Sequence, residues 1–318
     1  MRIIFTALLS FSFALIATSQ TDWETVDLSE ELKGKFKIKN SSAKSLKKNK
    51  TFVNDYTISQ ATKMKGSEST AETAVFSEVT LGGLENEPYQ EMVNEMYQHL
   101  ITELEQAGLE ITNGEEVVNS DYAQKRAQKN KSNESIGNIG VDTSWEGEKK
   151  ITEGTMPGYA AVAVTTDLSF RPENKIIYYT SSLLKAGNFY MKLAGKEDYN
   201  LLNIHFYVTF ANFDGGRGYK DIKLETEPVL SVAVQVQLIT PNGAFNEVYY
   251  KENAWGSDQW SKEIERTKDN KSSAEFLGLA RSADFLISAD QSLFLSELKQ
   301  IIKAYQRDIA SGIREEIE

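Results

Sequence analysis

Cysteine is absent from the chain, and histidine occurs only twice, at His99 and His205. Without cysteine, the chain cannot form a disulfide, a thiol nucleophile, an iron–sulfur cluster or a lipid-modified cysteine. Two histidines without cysteine also make a zinc site unfavourable, so we predict no metal site and no cofactor. Stability must therefore come from an apolar core, for which 40% hydrophobic residues are sufficient.

Long apolar runs are absent after residue 20, so we expect no transmembrane segment in the mature chain. The chain begins with Arg2 after the initial methionine, an apolar run at 3–16 and a small-x-small sequence at 17–19. This order is typical of a secretory signal peptide. We therefore predict cleavage near Ser19/Gln20 and a protein that is secreted or periplasmic, in or near a cell envelope.

Basic residues are outnumbered, and the chain carries a net charge of −11. Residues 33–50 nevertheless hold eight lysines and no acidic residue, so the acidic charge lies elsewhere. An acidic body argues against nucleic acid as a partner. The basic stretch predicts a solvated, partly disordered leader, or alternatively one that contacts anionic lipid, acidic glycan or the acidic body itself.

Recognisable catalytic motifs are absent as well. The chain contains no G-x-S-x-G, H-E-x-x-H, Walker A or EF-hand sequence. His205 lies within an apolar strand pattern, where a structural role is expected rather than that of a general base. Catalysis by serine–lysine or carboxylate pairs depends on proximity that sequence does not show, so the question of an enzyme stays open and a non-catalytic protein is favoured.

The segment 212–219 is one candidate ligand site. It places three glycines around Arg217 directly after a long strand pattern. Glycines allow positive φ and close approach of the backbone to a ligand. The segment predicts either a flexible turn between strands or an anion site that uses Asp214, Arg217 and Tyr219 with backbone N–H groups.

The segment 253–260 is a second candidate. It places Trp255 and Trp260 five residues apart among polar residues. Tryptophans in such a setting cover the edge of a core, or they form an exposed aromatic platform that binds a sugar or a protein partner.

Alternating and apolar patterns predict strands. The segment 229–240 shows the clearest alternation, with Val232, Val234, Val236 and Leu238 separated by smaller or polar residues. A turn at 241–243 predicts a hairpin with the strand that follows. A short lysine-rich edge strand is predicted at 34–39. The remaining strands are predicted at 51–59, 73–81, 109–111, 159–166, 175–180, 201–213 and 247–251.

Apolar residues at steps of three and four predict helices. Tyr89, Val93, Met96, Leu100 and Leu104 form such a stripe in a helix at 88–107, and a second helix is predicted at 289–309. Further helices are predicted at 181–194 and at 273–287, the latter with Ser273 as N-cap.

These elements predict an α+β fold with a mixed, mostly antiparallel sheet covered by amphipathic helices. The expected organisation is a signal peptide at 1–19, a basic and partly disordered leader at 20–50, and one main domain at 51–318. A mobile insertion is expected near 119–150, where the sequence is polar and rich in lysine, asparagine and serine.

The order of strand 74–81, helix and short strand is familiar, with residues 100–111 reading LITELEQAGLEI. It resembles a unit of bacterial envelope proteins, the curli-secretion lipoprotein family and the penicillin-binding-protein activator lipoproteins, and residues 232–243 resemble their later strand and turn. The resemblance implies a compact α/β sandwich used for binding or assembly. The chain lacks their lipidation cysteine and membrane-inserting hairpins, so a secretion-channel function is not implied.

Three functions follow as hypotheses. The leading one is a non-catalytic secreted or envelope protein that binds a protein partner or assembles with itself. The second is a secreted hydrolase acting on glycan or lipid, which would require carboxylates beside Trp255, Trp260 or His205. The third is a carrier of a small ligand or anion that uses the segment 214–219.

Overall fold

The computed structural model describes residues 22–32, 34–38, 40–69, 74–122, 136–137, 141–142, 146–151, 161–173, 177–178, 183–217, 222–268 and 280–318. Six helices lie in these ranges: α1 (Leu28–Glu31), α2 (Asn40–Lys48), α3 (Asn86–Gln106), α4 (Gly114–Val118), α5 (Leu183–Glu197) and α6 (Gln291–Ile317). Fourteen strands lie in the same ranges: β1 (Lys35–Lys37), β2 (Thr51–Ser69), β3 (Ala74–Gly82), β4 (Ile136–Gly137), β5 (Val141–Asp142), β6 (Glu146–Ile151), β7 (Ala161–Phe170), β8 (Ile177–Tyr178), β9 (Asn200–Arg217), β10 (Ile222–Ile239), β11 (Phe245–Tyr249), β12 (Ala254–Trp255), β13 (Ser261–Lys268) and β14 (Ala280–Ala289).

One large, curled sheet organises most of these elements as a single α+β domain, and β4 and β8 form a separate two-stranded sheet. Its strands follow the order β1-β11-β10-β9-β2-β3-β14-β13, with β12 added on β10 and β7 on β2. β2 pairs in parallel with β9, and β3 pairs in parallel with β14. The other described pairings are antiparallel. The predicted α+β class with a mixed sheet is therefore confirmed.

The central strands β9 and β10 show why this sequence forms a sheet with one apolar face. Leu202, Ile204 and Phe206 are fully buried, whereas the residues between them are partly exposed. The antiparallel register sets Val236 opposite Ile204, so the buried residues of both strands lie on one face. Burial of each such side chain contributes roughly 1.5–3 kcal/mol.

Most predicted elements are confirmed with shifted bounds. The predicted β10–β11 hairpin is present, with Gly243 in its turn at positive φ. The edge strand predicted at 34–39 is present as β1, which pairs with β11. The other matches are β2, β3, β7, β9 and β10 among the strands and α3, α5 and α6 among the helices.

Helices α3 and α6 pack against each other and share the core of the sheet through the fully buried side chain of Gln306. Its amide nitrogen donates to the Tyr56 hydroxyl of β2 at 2.8 Å and to the Met96 carbonyl oxygen of α3 at 2.9 Å. Its amide oxygen lies 2.7 Å from Nδ1 of His99. These bonds satisfy a buried amide that would otherwise destabilise the core.

Helix α6 is 27 residues long and buries thirteen of them. The buried positions recur at steps of three and four, as expected for an amphipathic helix. No helix in the described part of the chain is both long enough and apolar enough to cross a membrane.

The described residues of the predicted basic leader are folded onto the domain. They form α1, β1 and α2, and five apolar side chains among them are buried in the main core: Trp23, Leu28, Leu32, Ile38 and Leu46. A guanidinium N–H of Arg307 in α6 also donates to the Trp23 carbonyl oxygen. These apolar side chains, spaced between the charges, explain why this segment packs rather than staying apart from the domain.

The helix predicted at 273–287 is wrong where it can be compared, because Ala280–Ala289 form strand β14. β14 lies between β3 and β13, and its buried Ile287 pairs in register with Leu81. A short apolar segment fits both the helical and the strand period. Pairing with strands distant in the sequence then determines which structure it adopts. Ser273, the predicted N-cap, lies outside the described residues.

Three further predictions are only partly covered by the described residues. The insertion near 119–150 is described only at 119–122 and in short strand pieces, and the strand predicted at 175–180 only at β8. The short strand predicted at 109–111 is reduced to a single parallel bridge between Ile111 and Thr51.

Gly83 occupies a position where an added side chain has no space. Its φ is +83°, and a Cβ atom there would lie 2.7 Å from the backbone oxygen of Ala289. Gly243 has a similar backbone, with φ +72°, but no described atom lies within 4 Å of its Cβ position. The two glycines therefore separate the cost of a left-handed backbone from the cost of the close contact.

We expect Gly243→Ala to lower the free energy of unfolding by about 1–2 kcal/mol, the cost of a left-handed alanine. Gly83→Ala should lower it by more, because relief of the contact with Ala289 displaces the end of β14. Urea unfolding followed by circular dichroism measures both variants against the wild type. Equal losses for the two variants would contradict the close packing of Gly83.

Candidate functional site

The segment predicted as an anion loop lies mostly in a strand. β9 continues through Arg217, which pairs in register with Ile222 of β10, and Asp214 pairs with Glu225. Because successive strand residues alternate between faces, positions 214 and 217 lie on opposite faces of this hairpin. Asp214 is exposed, and Tyr219 lies outside the described residues. The described backbone therefore does not bring Asp214 and Arg217 together on one face.

The two candidate tryptophans have different surroundings. Trp255 lies in β12, pairs in register with Ser231 and is 43% exposed. Trp260 is fully buried, donates its indole N–H to the Ser257 carbonyl oxygen at 2.8 Å and packs edge-on against Phe294. Trp260 thus covers the beginning of α6, and Trp255 alone is left on the surface.

The loop between these tryptophans is bonded to its neighbours. The Glu297 carboxylate accepts hydrogen bonds from the Ser257 backbone N–H at 2.6 Å and from its hydroxyl at 3.0 Å. The backbone N–H of Gly256 donates to the Leu230 carbonyl oxygen at 2.7 Å. These bonds hold the loop between β10 and α6.

His205 belongs to a chain of hydroxyl groups on the sheet. Its Nε2 lies 2.8 Å from the Ser59 hydroxyl, which in turn lies 2.8 Å from the Ser169 hydroxyl. The imidazole stacks on the Tyr207 ring, with centroids 4.0 Å apart. Ser59 is only 3% exposed. A serine nucleophile must present its oxygen to a substrate, so this burial fits a structural network better than a catalytic pair.

Carboxylates do approach this network. Burial raises the pKa of Tyr207, and the charges of Asp55 and then Asp167 raise it further. The Asp55 carboxylate accepts a hydrogen bond from the Thr57 hydroxyl at 2.7 Å and lies 3.8 Å from Nε of Arg171. Carboxylates thus lie near Tyr207, the neighbour of His205, and a further one, that of Glu297, lies at the loop between the tryptophans, where it is bonded to Ser257.

A shallow groove of about 420 Å³ follows the outer side of α6. Lys299 and Lys303 both contact the Glu95 carboxylate, at 2.5 and 3.4 Å. The hydrogen bond from Lys299 is the largest cause of the lowered pKa of Glu95. The groove lies outside the segment 214–219 used by the anion-carrier hypothesis, and its lining is Glu24, Ser296, Lys299, Gln300, Lys303 and Arg307.

Strand β13 forms one edge of the sheet. It pairs with β14 and with no other strand that the structure describes. Residues 262–267 are all exposed, and Ile264 among them is 43% exposed. An edge strand offers a row of backbone N–H and C=O groups to which another strand can bond. This is the described feature that is best arranged for binding a protein.

Charge is segregated on this edge. Because side chains alternate along a strand, Glu263 and Glu265 lie on one face, whereas Ile264 and Arg266 lie on the other. The register sets Ile264 opposite the buried Ile287, so Ile264 continues the apolar face of the sheet. The edge therefore combines one apolar residue with two like charges on the opposite face.

The beginning of β13 is attached to helix α6. Nζ of Lys262 lies 3.3 Å from the Asp290 carboxylate, which also accepts hydrogen bonds from the backbone N–H groups of Ser292 and Leu293. The bond from Leu293, followed by that from Lys262, lowers the pKa of Asp290. One carboxylate thus caps the helix and contacts the edge strand.

No strand is predicted at β13 because its sequence, SKEIERTK, shows no apolar alternation. A strand exposed on both faces does not need alternating apolar residues. The two-residue apolar period from which strands are predicted is therefore missing here. The available signal was the pair of glutamates flanking Ile264, since charged residues are common on edge strands.

Comparison with models of protein families, with curated proteins and with solved structures finds no match for this chain. The resemblance to envelope lipoproteins stays a prediction.

The tryptophans provide a matched pair for mutation. Trp260→Phe should lower the free energy of unfolding by about 1–3 kcal/mol, because it removes the indole hydrogen bond to the Ser257 carbonyl and leaves a gap against Phe294. Trp255→Phe should change it by no more than about 0.5 kcal/mol, as is usual for a surface side chain. Urea unfolding of both variants checks the difference. A larger loss for Trp255→Phe would contradict the burial described here.

Proposed function

We propose that the chain is a non-catalytic secreted or cell-envelope protein that binds a protein partner or assembles, and that β13 is its binding surface. The single observation that carries the proposal is the exposure of residues 262–267 on a strand with one described neighbour. A partner strand at this edge extends the sheet by main-chain hydrogen bonds.

The chemistry of β13 supports a protein partner rather than a small molecule. Backbone groups spaced along a strand match the backbone of another strand, which repeats the same donors and acceptors. Ile264 supplies an apolar contact at the centre, while the charges around it discourage nonspecific pairing. Specificity then depends on the charges that the partner places opposite Glu263 and Glu265.

The proposal includes the expected covering of one sheet face by amphipathic helices. The contacts of α3 and α6 with the core, including the Gln306 bonds to Tyr56 and Met96, support this arrangement. A face covered in this way is less accessible to a partner than a strand edge, so helix cover and edge binding are compatible.

Hydrolysis is supported less well. The pair of Ser59 and His205 has a suitable distance of 2.8 Å, but the serine is nearly inaccessible. Trp260 is buried and so does not contribute to a sugar platform. The described geometry therefore favours binding over hydrolysis.

A location outside the cytoplasm is part of the proposal. Its support is the apolar run at 3–16 followed by small residues at 17–19. We expect the mature protein from its native cells to begin near Gln20, which N-terminal sequencing determines.

The binding surface can be tested by capture from cells that naturally produce the protein. Ile264→Lys places a charge at the centre of β13, and we expect it to abolish retention of the bound partner. Leu293→Lys makes the same chemical change at another exposed apolar residue, 51% exposed on α6, and should retain the partner. Quantitative mass spectrometry of the captured proteins compares both variants with the wild type.

Retention by the wild type and the Leu293 variant, with loss from the Ile264 variant, supports β13 as the surface. Equal retention by all three would overturn this assignment. Circular dichroism of the purified variants confirms that loss of the partner does not come from unfolding.

A further inference from the structure

We propose that the partner of β13 is strand β1 of a second copy of the same chain, so that copies join edge to edge. This inference rests on the proposed function, because it names the occupant of the same edge. Two observations carry it: the charge pattern of β13 repels its own copy, and the sequence of β1 complements it.

Pairing of β13 with another β13 is unfavourable in every central register. An antiparallel pair centred on residue 264 sets Glu263 opposite Glu265 at two positions. Centring on residue 263 or residue 265 sets a glutamate opposite its own copy. Like charges directly opposite each other destabilise a strand pair. The symmetric dimer through this edge is therefore disfavoured.

Strand β1 has the complementary sequence, Lys35-Phe36-Lys37. With Phe36 set opposite Ile264 in antiparallel pairing, Lys35 lies opposite Glu265 and Lys37 opposite Glu263. A parallel pair exchanges the two glutamates but keeps a lysine opposite each. Both directions thus match opposite charges and an apolar pair.

The two edge strands also agree in their register with the core. Phe36 pairs in register with Val248, which is buried in the main core. Ile264 pairs in register with Ile287, which is buried in the same core. Setting position 36 opposite position 264 therefore keeps the register positions paired with buried core residues on the same face of the joined sheet.

β1 lies at the other end of the described strand order from β13. Among the described strands it pairs only with β11. A contact between two different surfaces is heterologous, and it produces open chains or closed rings rather than a symmetric dimer. Because β1 has only three residues, we expect weak association that depends on protein concentration.

Sedimentation velocity of the purified mature chain tests the inference directly. We expect the average mass to rise with protein concentration beyond that of a dimer. Added salt should reduce it, because exposed charge pairs are screened. The double variant Glu263→Lys/Glu265→Lys should weaken association by roughly tenfold or more, because two attractive pairs become repulsive.

Charge exchange provides the rescue. Adding Lys35→Glu/Lys37→Glu to the same chain restores opposite charges, so we expect the quadruple variant to assemble again. Glu315→Lys/Glu316→Lys makes an equal charge change at exposed residues of α6 and should leave assembly unchanged. Mixed with the wild type, the Glu263/Glu265 variant keeps an intact β1 and should shorten the assemblies by capping them.

The outcomes separate this inference from the proposed function. A wild type that is monomeric at all concentrations, while capture from cells still depends on Ile264, overturns the second copy as partner but retains β13 as the surface. If the wild type assembles and the Glu263/Glu265 variant assembles equally well, self-association does not use β13. This outcome overturns both β13 as the surface of self-association and β1 as its partner. Weakening without rescue by the quadruple variant overturns the pairing with β1.

Discussion

The buried amide of Gln306 holds the last helix against the domain, and the proposed binding edge depends on that attachment. Its bonds to Tyr56 and Met96 join α6 to β2 and α3. At the other end of α6, the backbone N–H of Asp290 donates to the Trp260 carbonyl oxygen at 2.6 Å. Because α6 follows β14 after one residue, its attachment fixes the end of β14 and, through their pairing, the neighbouring β13.

Polar groups inside the domain are largely hydrogen-bonded to one another, unlike the outer backbone groups of an edge strand. The Ser59 hydroxyl is engaged by both His205 and Ser169, and the Tyr305 hydroxyl accepts from the Ala254 N–H and donates to the Val232 carbonyl oxygen. Such bonds use the groups that a ligand or a substrate would need. The backbones of β13 and β1 each have a bonding partner along one side among the described strands, so binding capacity is concentrated at these two edges.

The sequence predicted elements whose apolar residues repeat along one face, such as β9, β10, α3 and α6. It failed at β14, whose strand form depends on pairing with β3 about 200 residues earlier in the chain, and at β13, whose exposed residues have no period. Asp214, Arg217 and Trp255 were identified by residue type, yet residue type does not show that Trp260 is buried or that positions 214 and 217 face opposite ways. The two glutamates at 263 and 265 are visible in the sequence, but only the strand order shows that they lie on an edge strand.

Disulfide trapping in this cysteine-free chain gives a direct test of edge-to-edge assembly. Phe36→Cys and Ile264→Cys are prepared as separate variants and oxidised alone and as an equal mixture, and the products are separated by non-reducing electrophoresis. Residues opposite each other on paired strands are close enough for a disulfide. If β13 of one copy pairs with β1 of the next, linked dimers form chiefly in the mixture, with one cysteine from each variant by mass spectrometry. Equal linkage of Ile264→Cys with itself, or no linkage in the mixture, would contradict this pairing.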